Sequence, residues 1–215
     1  MPPEVAAEEY AMMCGVNRLM GGVKAVKSYL WREFGRRRDQ VRILDIGSGS
    51  CDIPIAICQW ASRVGMEVRF TCLDIHPVAL HMAREQLLLH RERRIELLKQ
   101  DVFGYTPKRA FDCAIGSMFF HHLDDAQILY LLRHVRKIVQ QSVLINDIRR
   151  CWWMYAGCQL ITLGMFRSSR PDAIKSVAKG FKAHELRLLL AGLDDVRIEV
   201  SRAYLGRITA VLRFD

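Results

Sequence analysis

Val41–Ser50 reads VRILDIGSGS, and Cys51, Asp52, Ile53 and Pro54 follow it. Val41, Ile43, Leu44 and Ile46 form a short β-branched, apolar run that stops at a glycine-rich turn where a helix can begin. The stretch predicts a strand, a tight loop and a helix start. Gly47 and Gly49 withdraw the side chains that would keep a ligand off the backbone, while free N–H groups of the following helix face the same space. Asp45 precedes the turn, where an acid suits an amine better than a phosphate.

Working outward, Ile53–Val64 predicts a helix, and Val68–Leu73 a second strand ending at Asp74, which completes a βαβ unit. An acid at that place can accept hydrogen bonds from both hydroxyls of a ribose. Pro77 suits the first turn of the next helix, and Arg91, Arg93 and Arg94 follow it as a solvated end. Ile95–Lys99 reads as a third strand closed by Gln100 and Asp101. Phe111–Gly116 is a fourth, followed by Ser117, Met118, Phe119, Phe120, His121 and His122. Asp124 and Asp125 start a helix with an apolar stripe from Ile128 to Val139, and Ser142–Ile145 is a fifth strand. On the N-terminal side, residues 6–34 read as helical, split at Gly21 and Gly22, and the 36–39 run is a connector. Residues 1–40 are therefore expected to form a helical cap on a domain spanning 41–215.

Beyond the fifth strand the pattern changes. Residues 151–166 carry no charge and include Trp152, Trp153 and Tyr155. They are too short for a transmembrane span, so a buried helix or a lid is expected. Residues 168–180 read as a loop and His184–Ala191 as a helix. The C-terminal stretch predicts two strands hinged near Leu205 and Gly206, giving a hairpin and one antiparallel member of the sheet.

Composition excludes several classes. The 215 residues are 51% hydrophobic and 26% charged, with mean hydropathy +0.04, as in an ordinary soluble globular domain. The net charge of +9 is spread along the chain and permits an anionic partner without requiring one. Seven cysteines form no CxxC pair, so they read as reduced core residues and indicate neither a disulfide framework nor a metal site. The acidic N-terminus has no apolar stretch of a signal peptide, and the cytoplasm is the expected compartment.

Alternating strands and helices with acids and glycines at strand ends predict an open α/β sheet with a ligand across those ends. The third glycine of a dinucleotide fingerprint is missing after Gly49, which counts against NAD or FAD. A nucleoside carrying a charged amino-acid tail fits better: Asp45 toward the ammonium, Asp74 toward the ribose and Asp101 toward the adenine amine. S-adenosylmethionine (SAM) is such a molecule.

VRILDIGSGSCDIPIAI, VRFTCLDIHP, LLKQDVF and FDCAIGSMFFHHL resemble, in order and spacing, the successive motifs of class I SAM-dependent methyltransferases. NRLMGG at 17–22, the HHL after the fourth strand and NDIRR after the fifth resemble the bacterial small-molecule branch, which acts on quinones and phenolic polyketides. The resemblance implies a Rossmann-like seven-stranded sheet with its last strand antiparallel and helices on both faces. It implies that Asp45, Gly47 and Gly49 line the methionine moiety, Asp74 the ribose, and Asp101 with Val102 the adenine. Ser48, Ile75 and Ser117 count among the cofactor residues.

Methyl transfer from a sulfonium is an in-line displacement, so the protein must align donor and acceptor, exclude water and make the acceptor nucleophilic. His121 and His122 are candidates for the base that forms a phenolate. Asn146, Asp147 and Arg149 are candidates to bind acceptor hydroxyls or a carboxylate, Asp147 and Arg149 reading alternatively as an ion pair. Trp152 and Tyr155 would cover a flat acceptor. The expected function is methylation of an O or C atom of a small hydrophobic, aromatic acceptor. The alternatives are RNA or protein methylation, motivated by the basic stretches 24–38 and 167–187, and a catalytically silent SAM-binding scaffold. Nucleic acid is disfavoured as a partner. Peripheral membrane contact and a homodimer are left open.

Overall fold

Period-two alternation along the first strand decides the architecture. The structure, a computed structural model, describes residues 21–152, 178–203 and 206–214. Outside them lie the first part of the expected 6–34 helix, most of the 151–166 and 168–180 segments, and Tyr155. In β1 (Val41–Ile46), Val41 and Ile43 pack into one apolar core and Leu44 and Ile46 into another, so the strand is covered on both faces.

The elements follow in the order α1 (Gly22–Phe34), β1, α2 (Asp52–Val64), β2 (Val68–Asp74), α3 (Pro77–Leu89), β3 (Ile95–Lys99), β4 (Phe111–Ser117), α4 (Asp125–Arg136), β5 (Val139–Ile148), α5 (Ala183–Leu190), β6 (Val196–Ala203) and β7 (Arg207–Phe214). The seven strands make one sheet ordered β3-β2-β1-β4-β5-β7-β6. β1 to β5 pair in parallel, and β7 runs antiparallel between β5 and β6, as the C-terminal hairpin predicts. One core holds Val26, Leu30 and Phe34 of α1 and Ile57 of α2, and the other Ile128, Leu131 and Val135 of α4 and Leu186 of α5. Helices therefore cover both faces.

Local signals set several boundaries. α4 starts at a capping box in which the Asp124 carboxylate accepts from Gln127 N–H at 2.8 Å and the Gln127 amide oxygen accepts from Asp124 N–H at 3.0 Å. Tyr29 of α1 shares a buried 2.7 Å hydrogen bond with Ser142 of β5, fastening the helix to the sheet. β5 is longer than its sequence suggests. It continues through Asn146 and Asp147 to Ile148 because β7 pairs with it as far as Ile148 opposite Arg207.

Candidate functional site

The loop after β1 is tied down by backbone hydrogen bonds to β2. Gly47 and Ser48 N–H groups both donate to the Leu73 carbonyl, at 2.9 and 3.1 Å, and Gly49 N–H donates to Asp74 Oδ2 at 2.8 Å. Such a path requires left-handed backbone at Gly47 (φ 66°), Gly49 (φ 55°) and Cys51 (φ 60°). The glycines adopt it freely, whereas Cys51 holds a conformation unfavourable to a residue with Cβ. A Cβ at Gly47 would stand 2.3 Å from a ring carbon of Phe119, so only glycine lets that ring rest against the loop.

Asp45 occupies the next place in the Val41–Ile43 series and is only 4% exposed. Burial, then the charges of Asp52 and Asp74, holds its carboxyl well above the ordinary carboxylate range. Asp45 thus lies within the field of two further acids at this left-handed loop, an environment that favours a cation, and the ammonium and sulfonium of SAM have that chemistry. Two buried polar atoms beside the same edge, Ser48 Oγ and Asn146 Oδ1, are without hydrogen bonds and offer further acceptors. Among the described residues, the donor set fits the cofactor.

The remaining residues expected at the cofactor are placed as follows. Asp74 is half-buried, and its second oxygen accepts from His76 N–H at 2.8 Å, which leaves one lone pair on each oxygen for a ribose. Asp101 is exposed, and one of its oxygens accepts from Phe103 N–H at 3.0 Å to cap the turn Val102–Gly104, in which Val102 is buried. Ile75 is exposed and Ser117 half-buried, its Oγ accepting from Asn146 Nδ2 at 3.1 Å.

After β4 the chain passes through a left-handed Met118 (φ 58°) into the short turn Phe120–His122. The fully buried Asp147 organises this turn: its Oδ1 lies 2.7 Å from His121 Nδ1, and its Oδ2 accepts from His121 N–H at 3.2 Å. Burial pushes the Asp147 carboxyl up, but the hydrogen bond and charge of His121, the Ile148 N–H and the Arg207 guanidinium outweigh it, and the net shift is downward. An ionised carboxylate only accepts, so His121 donates from Nδ1 and Nε2 is the ring's other edge. The His122 ring lies 4.0 Å from that of His121. Burial and then the neighbouring His121 pull its pKa down to about 4. Its open edge screens part of this, and the consequence is an imidazole that is neutral at pH 7.

Two expectations are corrected. Asn146 and Asp147 do not leave a strand end together toward one acceptor. Both lie inside β5, where alternation sends Asn146 to the face of Leu144, with Nδ2 3.2 Å from the Gly22 carbonyl, and Asp147 to the opposite face. Asp147 is paired with His121 and not with Arg149, which is half-buried and donates its N–H to the Gly206 carbonyl, while its neighbours Ile148 and Arg150 hydrogen-bond the Phe181 backbone. Trp152 is 80% exposed.

Sequence reasoning missed Phe119, Met118 and Arg207. The paired aromatics after β4 were a visible signal for the first. Nothing in the sequence around Gly206 marks Arg207 as a fully buried cation within the field of Asp147 and Asp52.

Residues 43–142 match the family profile of a methyltransferase domain. The match covers just under half of the chain, and the fold is like that of solved methyltransferases. The plantazolicin methyltransferase BpumL in complex with SAH superposes with a TM-score of 0.73 at 13% identity, over 99% of this chain and 90% of that one. A SAM-dependent methyltransferase from Aquifex aeolicus gives 0.69 at 14% identity over 100% of both chains. The magnesium protoporphyrin IX methyltransferase ChlM from Synechocystis PCC 6803 with bound SAM gives 0.62 at 11% identity, over 91% of this chain and 79% of that one. No curated protein matches the chain in sequence.

Proposed function

We propose that this chain, a SAM-dependent methyltransferase by its domain and fold, methylates an O or C atom of a small, hydrophobic, aromatic acceptor of phenolic, quinol or polyketide type. The observation that carries the reading is the His121–Asp147 pair beside the cofactor loop. When bound, SAM supplies a methyl group on a sulfonium that leaves as the neutral thioether. Asp45 and Asp74 hold its ammonium and ribose, with Asp101 and Val102 at the adenine. His121 Nε2 takes the phenolic proton, and Asp147 holds the ring in the accepting tautomer and stabilises the imidazolium that forms. Phe119 keeps water from the loop.

Relatives of this fold are named for plantazolicin and for magnesium protoporphyrin IX, which supports a discrete acceptor over bulk RNA. In the basic stretch 24–38, Arg32 pairs with Glu33 and Glu199 and Arg37 with Asp112, which lowers the charge left for phosphates. Among the described residues no helix is long and apolar enough to cross a membrane.

The test is calorimetric titration with SAM and SAH, then an acceptor screen of phenols, hydroquinones and resorcinols using wild type and His121→Gln. The reading expects micromolar binding of both ligands and transfer to a phenol that falls about a hundredfold or more in His121→Gln at unchanged SAM affinity. Absence of SAM and SAH binding would make the chain a scaffold, and transfer to RNA but to no phenol would replace the acceptor class.

A further inference from the structure

The end of the sheet remote from the cofactor loop carries a cluster that methyl transfer does not use. Gln59, Ser62 and Arg63 from the end of α2 and His90, Arg91, Glu92, Arg93 and Arg94 between α3 and β3 line an open cavity of about 610 Å³. Its one acid is already spent within the cluster. Arg94 donates to both Glu92 oxygens, at 2.8 and 2.7 Å, and that pairing is the largest influence holding the Glu92 carboxyl low. Arg63, Arg91 and Arg93 are exposed and form no ion pair among the described residues. Attraction to a helix C-terminus accounts for Arg63 in the last turn of α2. It does not account for Arg91 and Arg93, which lie beyond α3 where the chain turns back through a left-handed Arg91.

Large apolar side chains surround these cations. Leu88 is 78% and Leu89 73% exposed immediately ahead of the arginines, and Val64 is exposed next to Arg63. Leu87, one position earlier, packs on the core, so α3 has met its structural need before the two leucines that face water. Uncovered leucines side by side, flanked by unpaired arginines, match a surface that is anionic in its outer layer and apolar just beneath. They match single-stranded nucleic acid less well, since the lining holds no Phe, Tyr or Trp to stack on a base and His90 is its one aromatic ring.

We propose that the ends of α2 and α3 form a docking surface for anionic phospholipid membranes, with Arg63, Arg91 and Arg93 on the headgroup phosphates and Leu88 and Leu89 inserted below them. The surface lies where β2 and β3 begin, whereas the cofactor loop lies where β1 and β2 end, so docking leaves the cofactor edge free. The inference does not rest on the identity of the acceptor.

The test is flotation of the full chain with vesicles of equimolar phosphatidylglycerol and phosphatidylcholine, against pure phosphatidylcholine. The wild type is expected to float with the anionic vesicles alone. R91Q/R93Q should lower vesicle partitioning about thirtyfold, and L88S/L89S about tenfold or more. SAM affinity should be unchanged in both, which separates this surface from the cofactor site. The single variants R93Q and L89S give smaller losses of the same kind if a double variant melts early. The proposal is overturned if the wild type stays at the bottom of the gradient, or if either double variant floats as the wild type does. Retention on polyuridylate that depends on Arg91 and Arg93, without flotation, would reassign the surface to nucleic acid and overturn it as well.

Discussion

At the start of β4 the polar groups are paired; where β1, β4 and β5 end, several are not. At the start of β4, Asp112 accepts from Arg37 at 2.6 Å and from the Arg42 N–H at 2.7 Å, while the Arg42 guanidinium donates to the Ala110 carbonyl at 2.7 Å and lies over the Phe111 ring. At the other end the backbone passes through left-handed Cys51 and Met118, Asp45 is buried among like charges, and Ser48 Oγ and Asn146 Oδ1 have no partner. The first arrangement lowers the energy of the folded chain by itself. The second holds strain and buried charge that a bound cation and its hydrogen-bonding groups would relieve. The start of β4 thus stabilises the sheet, while the opposite edge carries the proposed cofactor site.

The most forceful way to break this comparison is Gly47→Ala. The new Cβ meets Phe119 at 2.3 Å on a residue with φ 66°, so SAM binding should be lost and the fold destabilised. We expect about 2 kcal/mol or more for the strained backbone and displaced ring. Titration calorimetry and urea unfolding measure the two effects, and an alanine variant that bound SAM normally would show that the loop is not set by that contact.

Asp112→Ala sharpens the other side. It removes a buried acceptor from Arg42 N–H and Arg37, and should cost about 2 kcal/mol of stability. SAM affinity should not change. A large loss of affinity in this variant would mean that the two ends are coupled through β4 and the division drawn above is false.

The smallest effect concerns His122. Its folded pKa of about 4 lies below the ordinary 6.5, so between those values the unfolded chain binds more protons and stability rises with pH. The contribution of the neutral ring is present above pH 6.5 and is lost as pH falls toward 4. Thermal melts across that window should show a slope that His122→Gln flattens, and an identical slope in the variant would assign the dependence to another group.

Elements with strong local codes were legible in the sequence. β1, the glycine loop, α2 and β2 follow from apolar runs, turn residues and a helix start, because backbone preference and hydrophobic periodicity act over a few neighbours. That Asp45 and Asp74 reach one edge of the sheet was legible for the same reason: parallel strands with helical crossovers bring strand ends together. The length of β5 could not be read, since its last residues are held by β7, which lies some sixty positions away and leaves no mark on Asn146 or Asp147.

Residue types and spacing by themselves determined that this chain makes a doubly covered α/β sheet with a glycine loop after its first strand, because those are local and periodic properties. Tertiary structure alone decided that Asp147 serves His121 and not an acceptor, that Arg207 is buried near it, and that Phe119 closes on Gly47. Each depends on distant segments meeting at one point, where burial sets the strength of charge and the space left for a side chain.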